Sequence, residues 1–559
     1  MTSDETAGDR NDARFQVALQ PDSALPYGAR ASMEVASCML KDETGGNAIE
    51  AQARLVGDVV EVVARSSAAV AYTSCVLTFR HAFTFDEQVL LNGYQSWTTT
   101  VEKSPWERMR GLRGVSRKLV DKYSLDGGGD YRFTQYSMRR GIQHGWTYAT
   151  FRREEGAVLI GSLDETDGFT LVIVDASNGT VTLDKELPIR PLPEGEETVV
   201  ARFAVTRGTV DQCYDRWFEL MCVQPRTRDV LTGYTSWYRH YNDIDEAKLA
   251  SDLRGLRDVF AADQVVSATA QPTLAQDTGI RNVRRLFQID DGYCKVGDWL
   301  TLDKQKFPHG LKPLVKSAHE AGFMAGLWVS PFVCERDSQL FVEHNDWLLR
   351  DEGGHAVHAG CHWSGAFALD TRNPEVRTYV LEVLQTITQE WGFDLLKVDF
   401  LYAACSLAHD GLNRGQLMAD ALDLVRTGAG DDCLLLGCGV PLGSAFGKVD
   451  FCRIGCDVGL DWDDKPFMRV LHRERVSTKN SLANTYGRAW LDRRAFGNDP
   501  DVFFLRKDVK MTEDQKNALL FADATMGSVL LTSDDMSQWD SSAKARFRLA
   551  LEQLVMPRA

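Results

Sequence analysis

The sequence lacks the features that would assign it to a membrane, a secretory route or a nucleic acid. No apolar run approaches the roughly 20 residues of a membrane-spanning helix. The first segment, MTSDETAGDRNDAR, is polar and acidic, whereas a secretory signal begins with positive charge and continues into an apolar stretch. Acidic residues outnumber basic ones, 79 to 63, and the net charge of -16 disfavours a polyanionic partner. We expect a cytoplasmic protein that binds neither membranes nor nucleic acids.

Paired cysteine motifs are missing as well. The twelve cysteines are scattered singly, several of them inside apolar runs. Cys452 and Cys456 lie close together, but their spacing matches no common zinc pattern and no second cysteine–histidine pair accompanies them. We expect reduced thiols packed in cores. The sequence therefore predicts no metal and no cofactor.

The length of 559 residues exceeds one ordinary core and even the usual barrel, so we expect two domains. From about Phe15 to Val205, short β-branched runs alternate with turn signals, as in ARLVGDVVEVVARS and ETVVARFAVTRG. This pattern is typical of an antiparallel β-sandwich. The amphipathic stretch VDQCYDRWFELMCV then predicts a connecting helix. We assign residues 1–208 to the sandwich and 209–230 to a linker helix.

After Leu231, strand-like runs alternate with helical patterns, which indicates βαβ units around a parallel sheet. The predicted strands are LTGYTSWY, RLFQIDDGY, FMAGLWVSPFV, FDLLKVDFLY, CLLLGCGVP, DFCRIGCDVG, RAWLDRR with its extension, and SVLLTSDD. Helices are predicted in DEAKLASDLRGLRDVF, in PEVRTYVLEVLQTITQEWG after the cap Asn373, and over about Ser541 to Leu554. We therefore predict a (β/α)8 TIM barrel over residues 231–559.

Aspartates cluster at the predicted carboxyl ends of these strands, where barrel enzymes carry their chemistry. They are Asp290, Asp291, Asp399, Asp457, Asp499, Asp501, Asp534 and Asp535. We interpret Asp534 and Asp535 as helix N-caps, because a βα loop commonly ends with aspartate just before its helix. The others predict a ring of carboxylates at one mouth of the barrel.

Two of these aspartates have a basic neighbour. Lys397 and Asp399 are two residues apart in an apolar run, so both side chains point to one face of a strand, and the ammonium would keep the carboxylate ionised as a nucleophile requires. A plain buried ion pair is the alternative. Arg453 could orient Asp457 or a sugar hydroxyl. An ionised and a partly protonated carboxyl, about 5 Å apart, would supply the nucleophile and the acid/base of a retaining glycosidase.

Aromatic residues are frequent at the same strand ends. They are Trp237, Tyr238, Tyr293, Trp328, Phe332 and Trp462. Sugars present apolar C–H faces, which flat aromatic rings bind while hydrogen bonds fix the hydroxyls. Singly, each ring is more often part of a core. Together with the carboxylates they favour a carbohydrate pocket.

The ordered motifs resemble glycoside hydrolase family 36, the melibiase-type α-galactosidases. The N-terminal half contains LLNGYQSW, and the predicted barrel contains QIDDGY, GLWVSPF, LLKVDF, LLGCGVPLG, RIGCDVG and NDPD in the order of the family. The resemblance covers most of the chain. It implies a retaining α-galactosidase that uses no metal.

The resemblance also implies roles for individual residues. Asp399 would be the nucleophile and Asp457 the general acid/base. Substrate binding would fall to Asp290 and Asp291 at the 4- and 6-hydroxyls, Lys397 at the ring hydroxyls, Arg453 beside the acid/base, Trp97 reaching over from the sandwich, and Trp237, Trp328 and Cys438 along the wall.

Two segments depart from the family pattern, GYTSWY in the first barrel strand and GCGVP in the fifth. Since the fifth-strand segment approaches the 2-position of the sugar in the family, discrimination between galactose and N-acetylgalactosamine stays open. The insert EGGHAVHAGCHWSGAF, residues 352–367, could shape the aglycone side. Its three histidines suggest a metal site only weakly, because no ligand spacing is recognisable.

We therefore predict an exo-α-galactosidase that removes terminal α-linked galactose from oligosaccharides or glycosides by double displacement. The alternatives are an α-N-acetylgalactosaminidase of the same family and a transglycosidase that transfers galactosyl units. A non-catalytic sugar-binding protein is disfavoured because both aspartates are present, and a metal-dependent barrel hydrolase would need histidines at the strand ends. The partner would be a small carbohydrate, and the large size and acidic surface permit a homo-oligomer.

Overall fold

The computed structural model describes residues 33–41, 49–66, 70–112, 115–262, 280, 282–463 and 473–556. The acidic N-terminal segment and the predicted start of the sandwich near Phe15 lie outside the described residues. Within these ranges, no helix combines the length and the apolar character that crossing a membrane requires. All twelve cysteines are free thiols, and nine of them are buried, as expected.

Two antiparallel sheets precede residue 209. Their strands are β1 (Glu34–Lys41), β2 (Ile49–Val56), β3 (Val59–Ser66), β4 (Val70–Arg80), β5 (Gln88–Leu91), β6 (Glu102–Lys103), β7 (Ile142–Trp146), β8 (Tyr148–Arg153), β9 (Gly156–Ser162), β10 (Thr170–Asp175), β11 (Thr180–Leu192) and β12 (Glu197–Gly208). One sheet has the order β1-β4-β11-β10-β7 and the other β2-β3-β12-β9-β8-β5-β6. Leu77 and Leu183 of the first sheet and Val62 and Phe203 of the second belong to one buried cluster. The two sheets therefore share a core.

A parallel sheet of nine strands follows in the C-terminal part of the chain. Its strands are β13 (Val230–Thr235), β14 (Val283–Ile289), β15 (Met324–Val329), β19 (Leu395–Val398), β20 (Leu434–Gly437), β21 (Phe451–Arg453), β22 (Gly497–Asp499), β23 (Val502–Phe503) and β24 (Val529–Thr532). The order is β22-β21-β20-β19-β15-β14-β13-β24-β23. The two end strands, β22 and β23, are separated only by Pro500 and Asp501. The curled sheet thus begins and ends on one short segment.

Helices separate the parallel strands along the chain. The α-helices are α1 (Arg117–Tyr123), α2 (Val210–Met221), α3 (Trp237–His240), α4 (Glu246–Ala262), α5 (Lys312–Glu320), α6 (Gln339–Glu343), α7 (Pro374–Gln385), α8 (Arg414–Ala429), α9 (Leu442–Ala445), α10 (Thr478–Gly487), α11 (Glu513–Met526) and α12 (Ser541–Leu554). A π-helix, Thr386–Glu390, extends α7, and 3₁₀ turns cover Asn345–Trp347, Leu401–Cys405, Ala489–Leu491 and Met536–Gln538. The predicted helices at α2, α4, α7 and α12 are confirmed.

Local sequence explains where these helices begin. Asn373 caps α7 by accepting a hydrogen bond from the backbone N–H of Glu375, and Pro374 fits the first turn because it has no N–H to lose. Thr209 and Gln212 form a capping box at α2, whose buried face includes Trp217. This face packs α2 into the large core of the molecule.

The seventh predicted strand was misplaced. RAWLDRR forms a 3₁₀ turn at Ala489–Leu491, and the strand lies in its extension at β22. The apolar residues of the turn resemble a strand, but Trp490 stacks on Tyr214 of α2 instead, with ring centroids 6.3 Å apart. In β22 the backbone lies so close to β21 that a Cβ at Gly497 would come within 2.5 Å of the Phe451 ring. Close packing outweighs the low strand propensity of this segment.

Of the two helix N-caps predicted after the last strand, Asp535 is confirmed and Asp534 is wrong. Asp535 is the N-cap of the turn Met536–Gln538 and accepts a hydrogen bond from Ser537 N. Asp534 is buried and accepts from the backbone N–H groups of Leu505 and Arg506, at 2.7 and 2.9 Å. Asp534 therefore accepts hydrogen bonds from the backbone N–H groups of the loop after β23 and does not cap a helix.

The insert and a short strand that precedes it form a small sheet. Strands β16 (Val333–Glu335), β17 (His358–Gly360) and β18 (Ala366–Ala368) pair antiparallel in the order β16-β18-β17. This sheet follows β15 in sequence, so the β17–β18 connection, residues 361–365, lies beside the mouth of the parallel sheet.

Candidate active site

A cavity of about 450 Å³ opens at the carboxyl ends of the parallel strands. Eight of the ten predicted site residues line it: Trp97, Trp237, Asp290, Asp291, Trp328, Lys397, Asp399 and Asp457. The remaining two, Arg453 and Cys438, lie behind this wall, where Arg453 bonds Asp457 and Cys438 accepts from Trp97. The structure therefore gathers the predicted residues into one place.

Asp399 directly follows β19 and is 7% exposed. Its Oδ2 accepts a hydrogen bond from Trp328 Nε1 at 3.0 Å, and its Oδ1 accepts from the backbone N–H of Phe400 at 2.8 Å. Phe400 holds a left-handed backbone with φ of 54°. Two N–H donors on separate oxygens stabilise negative charge and fix the orientation of the carboxylate.

Lys397 pairs with Asp290 in place of a simple pair with Asp399. The distance from Lys397 Nζ to Asp290 Oδ2 is 2.9 Å. Burial opposes the charged form of Lys397, but the carboxylates of Asp290 and Asp399 outweigh it and raise the pKa of Lys397 well above its ordinary value. The ammonium therefore stays charged and bonds Asp290, and its other N–H groups could reach a bound hydroxyl.

Asp291 is a second buried carboxyl on the same loop. Burial raises its pKa to about 6, while a hydrogen bond from Trp363 opposes that shift. Trp363 Nε1 donates to Asp291 Oδ2 at 2.8 Å. Asp291 is therefore an acceptor whose charge depends on its surroundings near neutral pH.

Asp457 lies at the rim of the cavity with a side chain that is 37% exposed. Its Oδ1 accepts a hydrogen bond from Arg453 at 2.9 Å. Arg453 also pairs with buried Asp501, which accepts from the Tyr238 hydroxyl. Burial opposes the charged form of Arg453, but the neighbouring oxygens, first those of Asp501, raise its pKa well above the usual range. Arg453 therefore remains charged and divides its charge between two carboxyl groups.

Trp97 reaches the cavity from the antiparallel part of the chain. Its Nε1 lies 3.2 Å from the sulfur of Cys438, and its ring meets the Phe400 ring edge-on at 5.0 Å. Gly439 adopts φ of 54°, and a Cβ there would lie 3.0 Å from the Trp97 ring. The fifth-strand segment thus needs glycine at this position to accept the indole.

The chain is similar to known alpha-galactosidases. The Melibiase family profile matches residues 272–414. An alpha-galactosidase of Escherichia coli is 32% identical over 133 residues, which are 22% of this chain and 18% of that protein. Alpha-galactosidase AgaA of Geobacillus stearothermophilus is 31% identical over 188 residues, 31% of this chain and 21% of that protein. The matched segments thus span about a fifth of the length of these curated relatives.

Solved structures extend the similarity over most of the chain. TtGalA, an alpha-galactosidase from Thermus thermophilus solved in complex with stachyose, superposes with a TM-score of 0.67 and 25% identity, covering 90% of this chain and 99% of that chain. The chain is thus similar to the melibiase family over residues 272–414 and to a solved alpha-galactosidase over most of its length. The crystal structure of AgaA is 14% identical, with a TM-score of 0.56 over 99% of this chain and 82% of that chain, and shares the fold.

The three histidines of the insert have different surroundings. His355 is exposed and faces Asp351, His358 packs on the Phe367 ring, and His362 lines the cavity. Among the residues that the structure describes, no group of three potential metal ligands forms there. Among the predicted aromatic residues, Tyr293 and Phe332 are buried in the core, and Tyr238 lies behind the wall on Asp501.

Several cavity residues were not identified from the sequence. The antiparallel part contributes Ser124, Leu125, Gly128 and Gly129; the C-terminal part contributes Asn242, Gly360, Cys361, His362, Trp363, Phe400, Tyr402, Glu474 and Val476. The signal that could have found some of them is the glycine run DGGGD, residues 126–130, in an otherwise strand-rich region. Cys361 and Trp363 lie in the insert, which has no regular periodicity.

Arg488 supports the wall without lining the cavity. It is fully buried, and it donates to Asn92 Oδ1 at 3.1 Å and to the backbone carbonyls of Gln95, Ser96 and Ile454 at 3.2, 2.5 and 2.8 Å. Burial lowers its pKa to about 10. One guanidinium thus ties the segment before Trp97 to the residue after β21.

Replacing Arg488 with methionine is expected to lower the free energy of unfolding by about 3 kcal/mol, since several buried carbonyls lose their donor. The KM should also rise, because the segment that carries Trp97 loses its anchor. Denaturant unfolding and steady-state kinetics measure the two effects. Arg494→Met is the matched control: Arg494 also pairs with a distant element, α2, through Asp211 and Asp215, but these partners are about half exposed. Equal losses in the two variants would contradict the assignment.

Proposed function

We propose that this protein is a retaining exo-α-galactosidase in which Asp399 is the nucleophile and Asp457 the general acid/base. The observation that carries the proposal is that both aspartates line one cavity together with Lys397 and the Asp290–Asp291 pair. The Thermus thermophilus relative, solved with stachyose and with an aryl α-galactoside, supports the substrate class.

In the first step, Asp399 attacks the anomeric carbon and forms a covalent galactosyl-enzyme. The N–H groups of Trp328 and Phe400 hold its carboxylate in one orientation before attack, so little reorganisation is needed. Asp457 gives its proton to the departing oxygen, and its exposed position at the rim suits a group that meets the leaving group and then water.

In the second step, Asp457 removes a proton from water, which attacks the anomeric carbon from the side that the leaving group vacated. The anomeric configuration is therefore retained. Arg453 stays hydrogen bonded to Asp457 through both steps in this scheme, while it also pairs with Asp501.

Recognition of the sugar falls to the polar groups on the inner wall. Asp290 and Asp291 accept from the 4- and 6-hydroxyls, and Lys397 donates to ring hydroxyls. Trp97, Trp237 and Trp328 present aromatic surface to the apolar faces of the ring. Cys438 acts from behind, through its contact with Trp97.

We further propose that the parallel sheet is a closed (β/α)8 barrel, because β22 and β23 continue one another across Pro500 and Asp501. The two antiparallel sheets with a common core form a β-sandwich in this proposal. The domains would be the sandwich at 1–208, the linker helix at 209–230 and the barrel at 231–559. The end of β12 at Gly208 and the start of β13 at Val230 support these boundaries.

The proposal is tested by hydrolysis of paired aryl α-galactoside and aryl α-N-acetylgalactosaminide substrates by the purified protein. We expect the galactoside to be preferred by at least about tenfold in kcat/KM, the selectivity that a single misfit group can produce. Preference for the N-acetylated sugar would replace the proposed specificity and place the difference near Cys438. Turnover of neither substrate would favour a sugar-binding role. Product analysis with an added sugar acceptor separates hydrolysis from galactosyl transfer.

A further inference from the structure

The insert places one side chain, Trp363, directly on the inner wall of the cavity. Trp363 lies in the connection between β17 and β18 and lines the cavity. Its backbone φ of 52° is in the left-handed region, which costs energy for a bulky residue. Backbone strain of this kind persists where surrounding contacts hold the residue in place.

Those contacts connect Trp363 to Asp291 and to the aromatic residues beside Asp399. Its Nε1 donates to Asp291 Oδ2 at 2.8 Å. Its ring lies 5.1 Å from the Phe400 ring and 6.0 Å from the Trp328 ring. Phe400 and Trp328 are the residues whose N–H groups bond Asp399. One insert residue therefore packs against the supports of Asp399 and bonds Asp291 directly.

Asp291 is in an environment that disfavours its charge. It is 5% exposed, and besides burial, the carboxylates of Asp290 and Glu335 raise its pKa. The nearby ammonium of Lys397 bonds Asp290 instead. The adjacent Tyr293 and Cys294 stay neutral, since burial raises the pKa of each well above its ordinary value. The N–H of Trp363 opposes this trend, because a donor favours the ionised acceptor.

We propose that Trp363 is a positioning and specificity residue that holds Asp291 as an oriented, ionised acceptor for a hydroxyl of the bound galactose. The inference rests on the proposed function for the role of Asp291. It assigns the insert a part in sugar recognition on the inner wall, in addition to any effect on the leaving group. The donor, and not the bulk of the ring, carries this role.

The test compares two variants that separate the donor from the ring. Trp363→Phe keeps an aromatic ring and loses the N–H, whereas Trp363→Gln keeps an N–H donor and loses the ring. Galactose affinity is measured by calorimetry across a pH series, and kcat and KM are measured with an aryl α-galactoside. His355→Ala is the control, since His355 lies exposed on the same insert and contacts Asp351.

For Trp363→Phe we expect the galactose Kd and the KM to rise about tenfold, the effect of losing one hydrogen bond to a charged group, with a smaller change in kcat. Loss of the donor raises the pKa of Asp291, so affinity should fall at a higher pH than in the wild type as the solution is acidified. Trp363→Gln should retain more affinity than Trp363→Phe, and His355→Ala should match the wild type.

The outcomes separate the two proposals. If the wild type binds galactose but hydrolyses no α-galactoside, the proposed function fails, and the Kd values still decide the role of Trp363. If Trp363→Phe binds galactose as the wild type does at every pH while Trp363→Gln is weak, the ring is only structural and the inference is overturned. A wild type that does not bind galactose overturns both.

Discussion

Replacement of Asp399 by alanine is expected to lower kcat for an aryl α-galactoside by about 10⁴-fold or more, the scale of loss when an enzyme is deprived of its nucleophile. The attacking oxygen disappears, and the donors Trp328 Nε1 and Phe400 N lose their acceptor. Galactose binding should survive, since Asp290, Asp291 and Lys397 remain. Steady-state kinetics together with calorimetric binding of galactose measure both effects.

Asp346→Ala is the matched control for this variant. Asp346 is exposed on the turn Asn345–Trp347 and does not line the cavity, so its removal should leave kcat unchanged. The thermal midpoint of Asp399→Ala should be recorded with its activity, to show that the variant is folded. Turnover within an order of magnitude of the wild type, in a folded protein, would remove Asp399 from the nucleophile position.

Replacement of Asp457 by alanine is expected to lower turnover of an oligosaccharide by about 10²- to 10⁴-fold, the usual contribution of a general acid/base. The loss should be smaller for a nitrophenyl galactoside in the first step, because a nitrophenolate departs without a proton. Hydrolysis of the galactosyl-enzyme then becomes slow, since water has lost its base. Azide should restore turnover of the aryl substrate and release galactosyl azide, because this anion attacks without base assistance.

The azide result decides between a catalytic and a structural role for Asp457. A merely structural loss would lower the rates for aryl and oligosaccharide substrates equally, and azide would not restore them. Asp501→Asn serves as a comparison: it disturbs the same Arg453 but leaves the carboxyl at the rim. Azide rescue in Asp501→Asn, and not in Asp457→Ala, would contradict the assignment of the acid/base.

The strands that carry the candidate site could be predicted because their patterns are local. Apolar runs such as LLKV and LLLG match β19 and β20, and an aspartate directly after such a run marks the strand end. The carboxylates of Asp399 and Asp290 were therefore identifiable from sequence. The hydrogen-bond partners of these carboxylates could be predicted only in part. The Lys397 ammonium was expected to pair with Asp399, but it bonds Asp290, which is distant in sequence.

Other parts of the site depend on packing that has no local pattern. The segment containing Arg488 resembles a strand in sequence. Its guanidinium, however, donates hydrogen bonds to Asn92 and Ser96 of the antiparallel part, nearly 400 residues away in sequence. Trp363 lies in an irregular insert, and its proximity to Asp291 follows from how the β16–β18 sheet docks. Such contacts follow from tertiary structure, which residue spacing alone does not encode.

The pairing of β13 with β24 has a consequence for how the protein acquires its activity. Leu231 lies beside Val529, so the strands of the parallel sheet that come first and last in sequence, β13 and β24, pair with each other across more than half of the chain's length. Contacts between residues so distant in sequence form slowly, and large chains of this kind fold through intermediates. Asp501, which pairs with Arg453, lies between β22 and β23, the strands at the two ends of the sheet order. In a refolding experiment, helical signal should therefore recover first, and enzymatic activity should return in a later, slower phase.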